Sequence, residues 1–385
     1  PKGKYRNVVG NYALSLGLAA AAERSKLEIF LGSYPITPAS DILHTLSAWK
    51  HLGIKTFQAE DEIAGITSSL GAAFSGDLAI TTTSGPGIAL KGEALGLAVI
   101  AELPLVIINV QRGGPSTGLP TKTEQSDLLQ ALYGRNGEAP MPVIASSTPG
   151  DCFYVAYEAC RIAIKYMTPV MLLTDGYLAN GSEPWQVPNV KDLPEIDVKF
   201  ANKNVKVDNQ YMPYLREKST LARPWAIPGT PGLEHRIGGL EKEDVTGNVS
   251  YDPENHHHMV LTRAKKVSKI SQEIEKTEVF GEKSGDLLIL AWGGTMGACR
   301  SAAESLVSDG FKIGHVHLRW INPLPDDLGE ICIKFKKVLI PEINSGQLIK
   351  LIRSEYLIDA KGLNQVYGKP ISASDIYETV KEMIG

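Results

Sequence analysis

None of the four cysteines stands in a C-x-x-C pair; Cys152, Cys160, Cys299 and Cys332 are scattered along the chain. That spacing supports neither a disulfide framework nor an iron–sulfur or zinc site, and a reducing, cytoplasmic compartment is expected. Long hydrophobic runs are equally scarce. The longest early one, "ALSLGLAAAA", stops at Glu23 and Arg24, short of the roughly 20 apolar residues a membrane-spanning helix needs, and no secretory cleavage pattern follows it. A large excess of one charge is absent too, since 39 Lys and Arg against 43 Asp and Glu leave a formal charge of −4. Nucleic acid and anionic membranes are thereby disfavoured as partners, which leaves small molecules and proteins. Low-complexity tracts and repeats are missing. The chain opens on Pro1 rather than methionine, which fits either processing or a longer parent.

What is present is a regular alternation. Its 385 residues, 43% apolar, give room for two or three domains. The runs "LEIFLG", "IKTFQ", "LAITTT", "PLVIINV", "MPVIAS" and "PVMLLTD" read as strands. Helical patterns begin between them near Pro38, Glu62, Ile88, Thr123 and Gly150. Near-continuous apolar strands joined by helices imply a doubly wound, mostly parallel α/β sheet, with ligands beyond the carboxyl ends of its strands. The pattern lapses over 189–282, which is rich in proline, glycine and charge and reads as an irregular insertion or linker. It resumes in "DLLILAW", "KIGHVHL" and "KVLIPEI". Three segments are therefore expected: 1–188, 189–282 and a smaller α/β domain over 283–385.

Several stretches admit both a structural and a chemical reading. In "GSYPITPASD", Pro35 and Pro38 stiffen a turn around Thr37. Thr37 could be only the N-cap of a helix whose first residue is Pro38, worth about 1 kcal/mol. The other reading is a hydroxyl held still for an anionic substrate. "TTTSGPG" is a strand-to-helix turn, either no more than a tight turn or a seat for anions or polar rings, and it is not a Walker loop. "GPSTG", Gly114 to Gly118, matches a nucleophile elbow formally, yet Leu119 and Pro120 follow where a helix should. Arg112, just after a strand and before two glycines, is uncrowded enough to grip a carboxylate, with a surface salt bridge as the ordinary alternative. Glu60, Asp61 and Glu62 crowd a helix N-terminus, where macrodipole complementation is the ordinary explanation. His256 to His258 read as solvated, and His315 and His317 share a strand face without a third ligand, so no metal is assigned to this chain.

Taken together, "YPITPASD", "QAEDEIAG", "TTTSGPG", "VQRGGPSTGLPTKTEQSDLLQALYG" and "LLTDGYLANGSEPW" resemble the α subunit of 2-oxoacid:ferredoxin oxidoreductases. The likeness continues through "GTPGLEHRIGGLE", "LAWGGTMG" and "HLRWINPLP", and the insertion is most similar to the 2-oxoglutarate branch. The resemblance implies a pyrimidine-type thiamine diphosphate-binding domain followed by a transketolase C-terminal-like domain. It implies oxidative decarboxylation of a 2-oxoacid, with the acyl group passed to coenzyme A and electrons to ferredoxin. Glu62, nine positions before Gly71, is implied as the cofactor-activating acid, with Glu60 in reserve. Pro35, Ser84 and Gly85 would line the pyrimidine pocket, and Thr37, Arg112 and Thr121 would hold the substrate. His235 and Arg236 are weak candidates for the distal carboxylate. No "GDG" occurs in the chain, so the resemblance places Mg²⁺, the diphosphate and a 4Fe-4S cluster in a separate β subunit, within an (αβ)2 assembly. Pyruvate or another 2-oxoacid is the alternative substrate. A nucleotide-binding α/β protein and a non-catalytic scaffold subunit are the rival readings.

Overall fold

The computed structural model describes residues 2–202, 205–207 and 210–385. In chain order the first part comprises β1 (Tyr5–Val9), α1 (Gly10–Ser25), β2 (Ile29–Ser33), α2 (Ser40–Ala48), β3 (Lys55–Gln58), α3 (Glu62–Ser75), β4 (Leu78–Thr83) and α4 (Gly85–Leu90). It continues with α5 (Gly92–Ala101), β5 (Leu105–Gln111), α6 (Leu128–Tyr133), β6 (Val143–Ala145), α7 (Asp151–Tyr166), β7 (Pro169–Asp175), α8 (Gly176–Asn180) and β8 (Ser182–Gln186). Every residue of β4, β5 and β7 is buried, because a parallel strand has helices over both faces. Alternate side chains divide between those faces: Ile80, Ile108 and Leu172 meet α1 and α7, while Ala79, Ile107 and Leu173 meet α3 and α5. All six strands expected from the apolar runs form and pair in parallel, whereas β1 and β8, which the alternation did not reveal, make a small antiparallel ribbon.

Two helices start later than their sequence patterns suggest. α2 begins at Ser40 with Ala39 before it and no side-chain cap, so Thr37 is not an N-cap and Pro38 is not a first helical residue. The main-chain N–H groups of Ala39 and Ser40 both bond to Ile36 O, at 2.8 and 3.1 Å, which closes a turn where the helix would otherwise have started. α6 begins at Leu128 rather than near Thr123 because the intervening side chains tie other elements together. Thr123 Oγ1 donates to Asp175 Oδ1 at 2.8 Å and Gln125 Nε2 to Trp292 O at 2.7 Å.

Beyond β8 come β9 (Lys206–Val207), β10 (Gln210–Tyr211) and α9 (Pro253–Ser268). The 189–282 stretch is thus not wholly irregular: α9 runs 16 residues, started by Pro253 and capped by Asp252, whose Oδ1 accepts from Asn255 N at 2.6 Å. His256 and His258 lie on this helix, exposed, and bond Glu241 Oε2 and Asp244 Oδ2 at 2.8 and 3.0 Å. Trp225 Nε1 donates to Ala73 O, and Arg223 Nε donates to the carbonyls of Ala101 and Glu102, all at 3.0 Å. These bonds clamp the stretch to the C-terminal ends of α3 and α5, the edge of the sheet opposite Glu62. Glu102 sits there almost fully buried between Arg216 and Lys266. Burial opposes its charge, but those two cations hold its carboxyl well below the usual carboxylate range.

The last part comprises β11 (Phe280–Gly281), β12 (Gly285–Trp292), α10 (Met296–Ser308), β13 (Ile313–Leu318), β14 (Trp320–Asn322), α11 (Leu328–Cys332), β15 (Phe335–Glu342), α12 (Gln347–Tyr356), β16 (Lys361–Asn364) and α13 (Ala373–Ile384). Five strands form a second sheet in the order β11-β13-β12-β15-β16. Leu287, Ile289 and Ala291 of β12 face α10 and α13, while Leu288, Leu290 and Trp292 face the core that α3 and α5 help to build. β14 leaves this sheet altogether and pairs antiparallel with β6, completing the first sheet in the order β14-β6-β7-β5-β4-β2-β3. Among the described residues no helix is long and apolar enough to cross a membrane.

Candidate active site

Four segments converge beyond the carboxyl ends of β2, β3, β4 and β5. After β2, the turn from Tyr34 to Ala39 is braced from below by Asn11, whose Nδ2 donates to Pro38 O at 2.8 Å. Pro35 is half-buried and the Thr37 side chain is exposed. After β3, the three acids separate by environment. Glu60 is exposed, and Asp61 is engaged as N-cap of α3, accepting from Ala64 N at 2.8 Å. Glu62 is the first helical residue and is 7% exposed. Among the described residues its carboxylate has no hydrogen-bonding partner.

After β4, Ser84 occupies the N-cap position of α4 but its side chain does not cap the helix; the hydroxyl is fully buried and unpartnered. That is an uncompensated polar group, and such groups in native folds call for an explanation. Gly87 packs directly on the acid: a Cβ there would lie 1.9 Å from Thr83 Oγ1 and 2.8 Å from Glu62 Cγ. At Gly85 a Cβ would come within 3.0 Å of both Asp127 carboxylate oxygens. The glycines therefore let the α4 backbone approach Glu62 on one side and Asp127 on the other.

After β5, Arg112 is 6% exposed and donates from Nη1 to Thr37 O at 2.6 Å, while its Nε has no partner. Burial lowers its pKa, opposed by the charges of Asp127 and Glu62. Asp127, which accepts from Asn109 Nδ2 at 3.0 Å, has its carboxyl pushed up by burial. The chain beyond Arg112 folds back on itself, with Leu119 N bonding Gly113 O at 2.8 Å and Gly113 N bonding Lys122 O at 2.9 Å. Ser116 is exposed on this loop with no helix behind it, so the nucleophile-elbow match is accidental. Thr121 is also exposed there.

Glu62, Ser84, Gly85, Arg112 and the Thr37 turn are thus brought into one neighbourhood, with Pro35 at its rim and Thr121 on the adjoining loop. His235 and Arg236 are not part of it. His235 packs edge-on against Phe74 and Tyr211 at the far end of α3, roughly 18 Å along the helix from Glu62 at 1.5 Å per residue. The insertion lies across the wrong edge of the sheet for these two side chains to meet a ligand beside Glu62. Sequence reasoning missed Asn109 and Asp127, which complete the polar floor. It also missed Lys91, which lies fully buried beneath Glu62 and donates from Nζ to Glu62 O at 2.8 Å and to Thr81 Oγ1 at 3.0 Å. A lysine inside an apolar helical pattern gives no such signal. Among the described residues no three His, Cys, Asp or Glu side chains group as a metal site.

Residues 21–252 match the family model for pyruvate flavodoxin/ferredoxin oxidoreductase, thiamine diphosphate-binding, and residues 285–376 match pyruvate:ferredoxin oxidoreductase core domain II. The 2-oxoglutarate oxidoreductase subunit KorA of Mycobacterium tuberculosis is 52% identical over 98% of this chain and 57% of its own length. The 2-oxoglutarate synthase subunit KorA of Archaeoglobus fulgidus is 31% identical over 91% of this chain and 93% of its own. Among solved structures, 2-oxoglutarate:ferredoxin oxidoreductase from Magnetococcus marinus, with 2-oxoglutarate, coenzyme A and succinyl-CoA bound, superposes with a TM-score of 0.93. It is 36% identical and covers 100% of this chain and 66% of that one. A split-gene transketolase at 13% identity, TM-score 0.55 over 98% of both chains, shares the fold alone. The chain spans little more than half the length of the Mycobacterium relative. By matched length and by the arrangement of its motifs, the chain belongs to the pyruvate flavodoxin/ferredoxin oxidoreductase family and carries that family's thiamine diphosphate-binding region together with its core domain II.

Proposed function

We propose that the chain is the α subunit, or the equivalent part of one, of a CoA-acylating 2-oxoglutarate:ferredoxin oxidoreductase. Succinyl-CoA is the product, and ferredoxin takes the electrons. The observation that carries the reading is the buried Glu62 carboxylate, without a hydrogen-bonding partner among the described residues, against which Gly87 of α4 packs, together with the orphaned Ser84 hydroxyl at the start of that same helix. That donor set fits the aminopyrimidine end of thiamine diphosphate: a carboxylate to accept from a ring nitrogen, a hydroxyl and a close backbone to line the ring. The cofactor supplies the nucleophilic carbon and the electron sink for decarboxylation. This chain would supply the groups around the aminopyrimidine and the 2-oxoacid carboxylate. Glu62 would accept a hydrogen bond from the protonated ring nitrogen and exchange that proton with it, the work of a general acid–base group. Pro35, Ser84 and Gly85 shape the ring pocket. Thr37, Arg112 and Thr121 orient the 2-oxoacid carboxylate, and orientation is a large part of the rate enhancement.

The chain has no "GDG" segment, and we place the diphosphate, Mg²⁺ and a 4Fe-4S cluster on a β subunit, in an (αβ)2 assembly. Four buried, unpaired cysteines suit a cytoplasmic location. The names of the relatives favour 2-oxoglutarate over pyruvate. With His235 and Arg236 removed from the site, the group that reads the distal carboxylate is to be sought on the 113–122 loop or on the β subunit. The test is Glu62→Gln in the complex reconstituted with its β subunit. Turnover of 2-oxoglutarate should fall by at least about 100-fold with assembly intact. Full activity would favour the scaffold reading. Stabilisation of the complex by a nucleotide, but not by thiamine diphosphate with Mg²⁺, would favour the nucleotide-binding reading.

A further inference from the structure

Lys91 is one of the largest fully buried side chains, and among the described residues its ammonium reaches only neutral acceptors, the Glu62 carbonyl and the Thr81 hydroxyl. Among the described residues no carboxylate comes within 4.0 Å of it. A buried cation without a close counter-ion costs stability, and a hydrophobic side chain of similar volume would not. The location of this cost is informative. The first contact lies under the first turn of α3, on the residue that presents the candidate acid, and the second lies on β4 three residues before Ser84.

We propose that Lys91 is a positioning residue for Glu62: its ammonium pins the first turn of α3 to β4 and lays a fixed positive charge beneath the carboxylate. The inference rests on the reading of Glu62 as the catalytic acid. A buried carboxylate that must accept a hydrogen bond as an anion needs a compensating charge nearby. Among the described residues the charged groups acting on this pair are Glu62 and Asp61 of α3, which act on Lys91, and Arg112, which interacts with both Glu62 and Asp127. Burial pushes the Lys91 ammonium down to about 8, with Glu62 and Asp61 opposing the shift. The anchor is therefore protonated at neutral pH and lost in mild alkali.

The experiment compares Lys91→Met and Lys91→Gln with the wild type in the reconstituted complex. For Lys91→Met, kcat should fall about 10- to 100-fold while KM for the 2-oxoacid stays within about threefold, as expected for lost alignment rather than lost binding. The fall in wild-type activity near pH 8 should vanish from its profile. Lys91→Gln keeps an amide donor for the Glu62 carbonyl and should recover part of kcat but not that alkaline limb. Thermal unfolding without cofactor gives a readout independent of turnover. The melting temperature of Lys91→Met should equal or exceed that of the wild type at pH 7. The margin should shrink toward pH 10, because a lysine with lowered pKa destabilises the fold only while it is charged. A lower melting temperature with activity lost only in proportion to folding would make Lys91 a structural residue and overturn the proposal. Unchanged kcat would do the same. Glu62→Gln is the control: if it stays fully active, the reading of Glu62 has failed, whereas an inactive Glu62→Gln beside a wild-type-like Lys91→Met defeats only the role of Lys91.

Discussion

Arg112 donates from Nη1 to the main-chain oxygen of Thr37 at 2.6 Å, tying the end of β5 to the turn that follows β2. The guanidinium is thereby fixed in direction, and its Nε is left without a partner at the mouth of the sheet. A planar donor held this way is preset for a carboxylate, because little side-chain freedom remains to be lost on binding.

Arg112→Lys keeps the charge and removes the fork. KM for the 2-oxoacid should rise about 10- to 100-fold, in line with the roughly 1.5–3 kcal/mol of a hydrogen bond to a charged group. Steady-state kinetics on the reconstituted complex decide it. A KM within twofold of wild type would remove Arg112 from the substrate clamp.

Ser84→Ala separates a ligand-facing hydroxyl from a structural one. The hydroxyl is buried and has no hydrogen-bonding partner among the described residues, so its removal should leave the melting temperature of the chain unchanged or slightly raised. Affinity for thiamine diphosphate in the complex should drop about 5- to 10-fold, readable by titration calorimetry at fixed Mg²⁺. A marked loss of stability would show the hydroxyl serving the fold instead.

Gly87→Ala should fail for steric reasons. Its methyl would fall 1.9 Å from Thr83 Oγ1 and 2.8 Å from Glu62 Cγ, forcing α4 away from the acid or the acid out of its seat. Overpacking of this kind costs about 1–3 kcal/mol, measurable by urea unfolding, and turnover should fall further than the folded fraction does. Near-normal kcat would mean that Glu62 is not confined by α4.

At the opposite edge of the sheet, Glu102 should make the fold acid-sensitive. Its folded pKa lies below the ordinary value of 4.5, so its contribution to stability is complete above that value and drains away as the pH falls below it. Glu102→Gln leaves Arg216 and Lys266 buried without their shared anion, a loss of about 3–5 kcal/mol at pH 7. Denaturant titrations at pH 7 and pH 4 should show the variant far less stable at the first and closer to wild type at the second. Parallel pH profiles would indicate that water reaches the pair.

The sequence revealed most where burial is continuous. β4, β5 and β7 are buried throughout because helices cover both faces, and that requirement shows in the apolar residues that fill all but their carboxyl ends. Glu62 was singled out only through the family pattern that the resemblance supplies, and the structure adds how its neighbours differ: Asp61 is consumed as a cap and Glu60 faces solvent. Of the two readings open for Thr37, the helix cap fails: threonine before proline usually signals a helix start, while here the bonds to Ile36 O displace the start to Ser40. His235 and Arg236 were misplaced for a different reason. Where a long polar stretch lands on a sheet depends on contacts such as Trp225 to Ala73 and Arg223 to Ala101, and these leave no local pattern. The role of Lys91 could not be read at all, since its meaning lies in what is stacked above it.

β14 belongs in sequence to the third segment and in space to the first sheet, where it pairs with β6. Leu288, Leu290 and Trp292 join the same core as α3 and α5. The two sheets are therefore not beads on a string. A protein truncated before Gly285 would expose both a raw strand edge and an apolar face, the two features that most readily drive aggregation. The intact chain should melt in one calorimetric transition despite its two sheets. Evolution can then trade the pieces at its outer margins freely, but not along this seam.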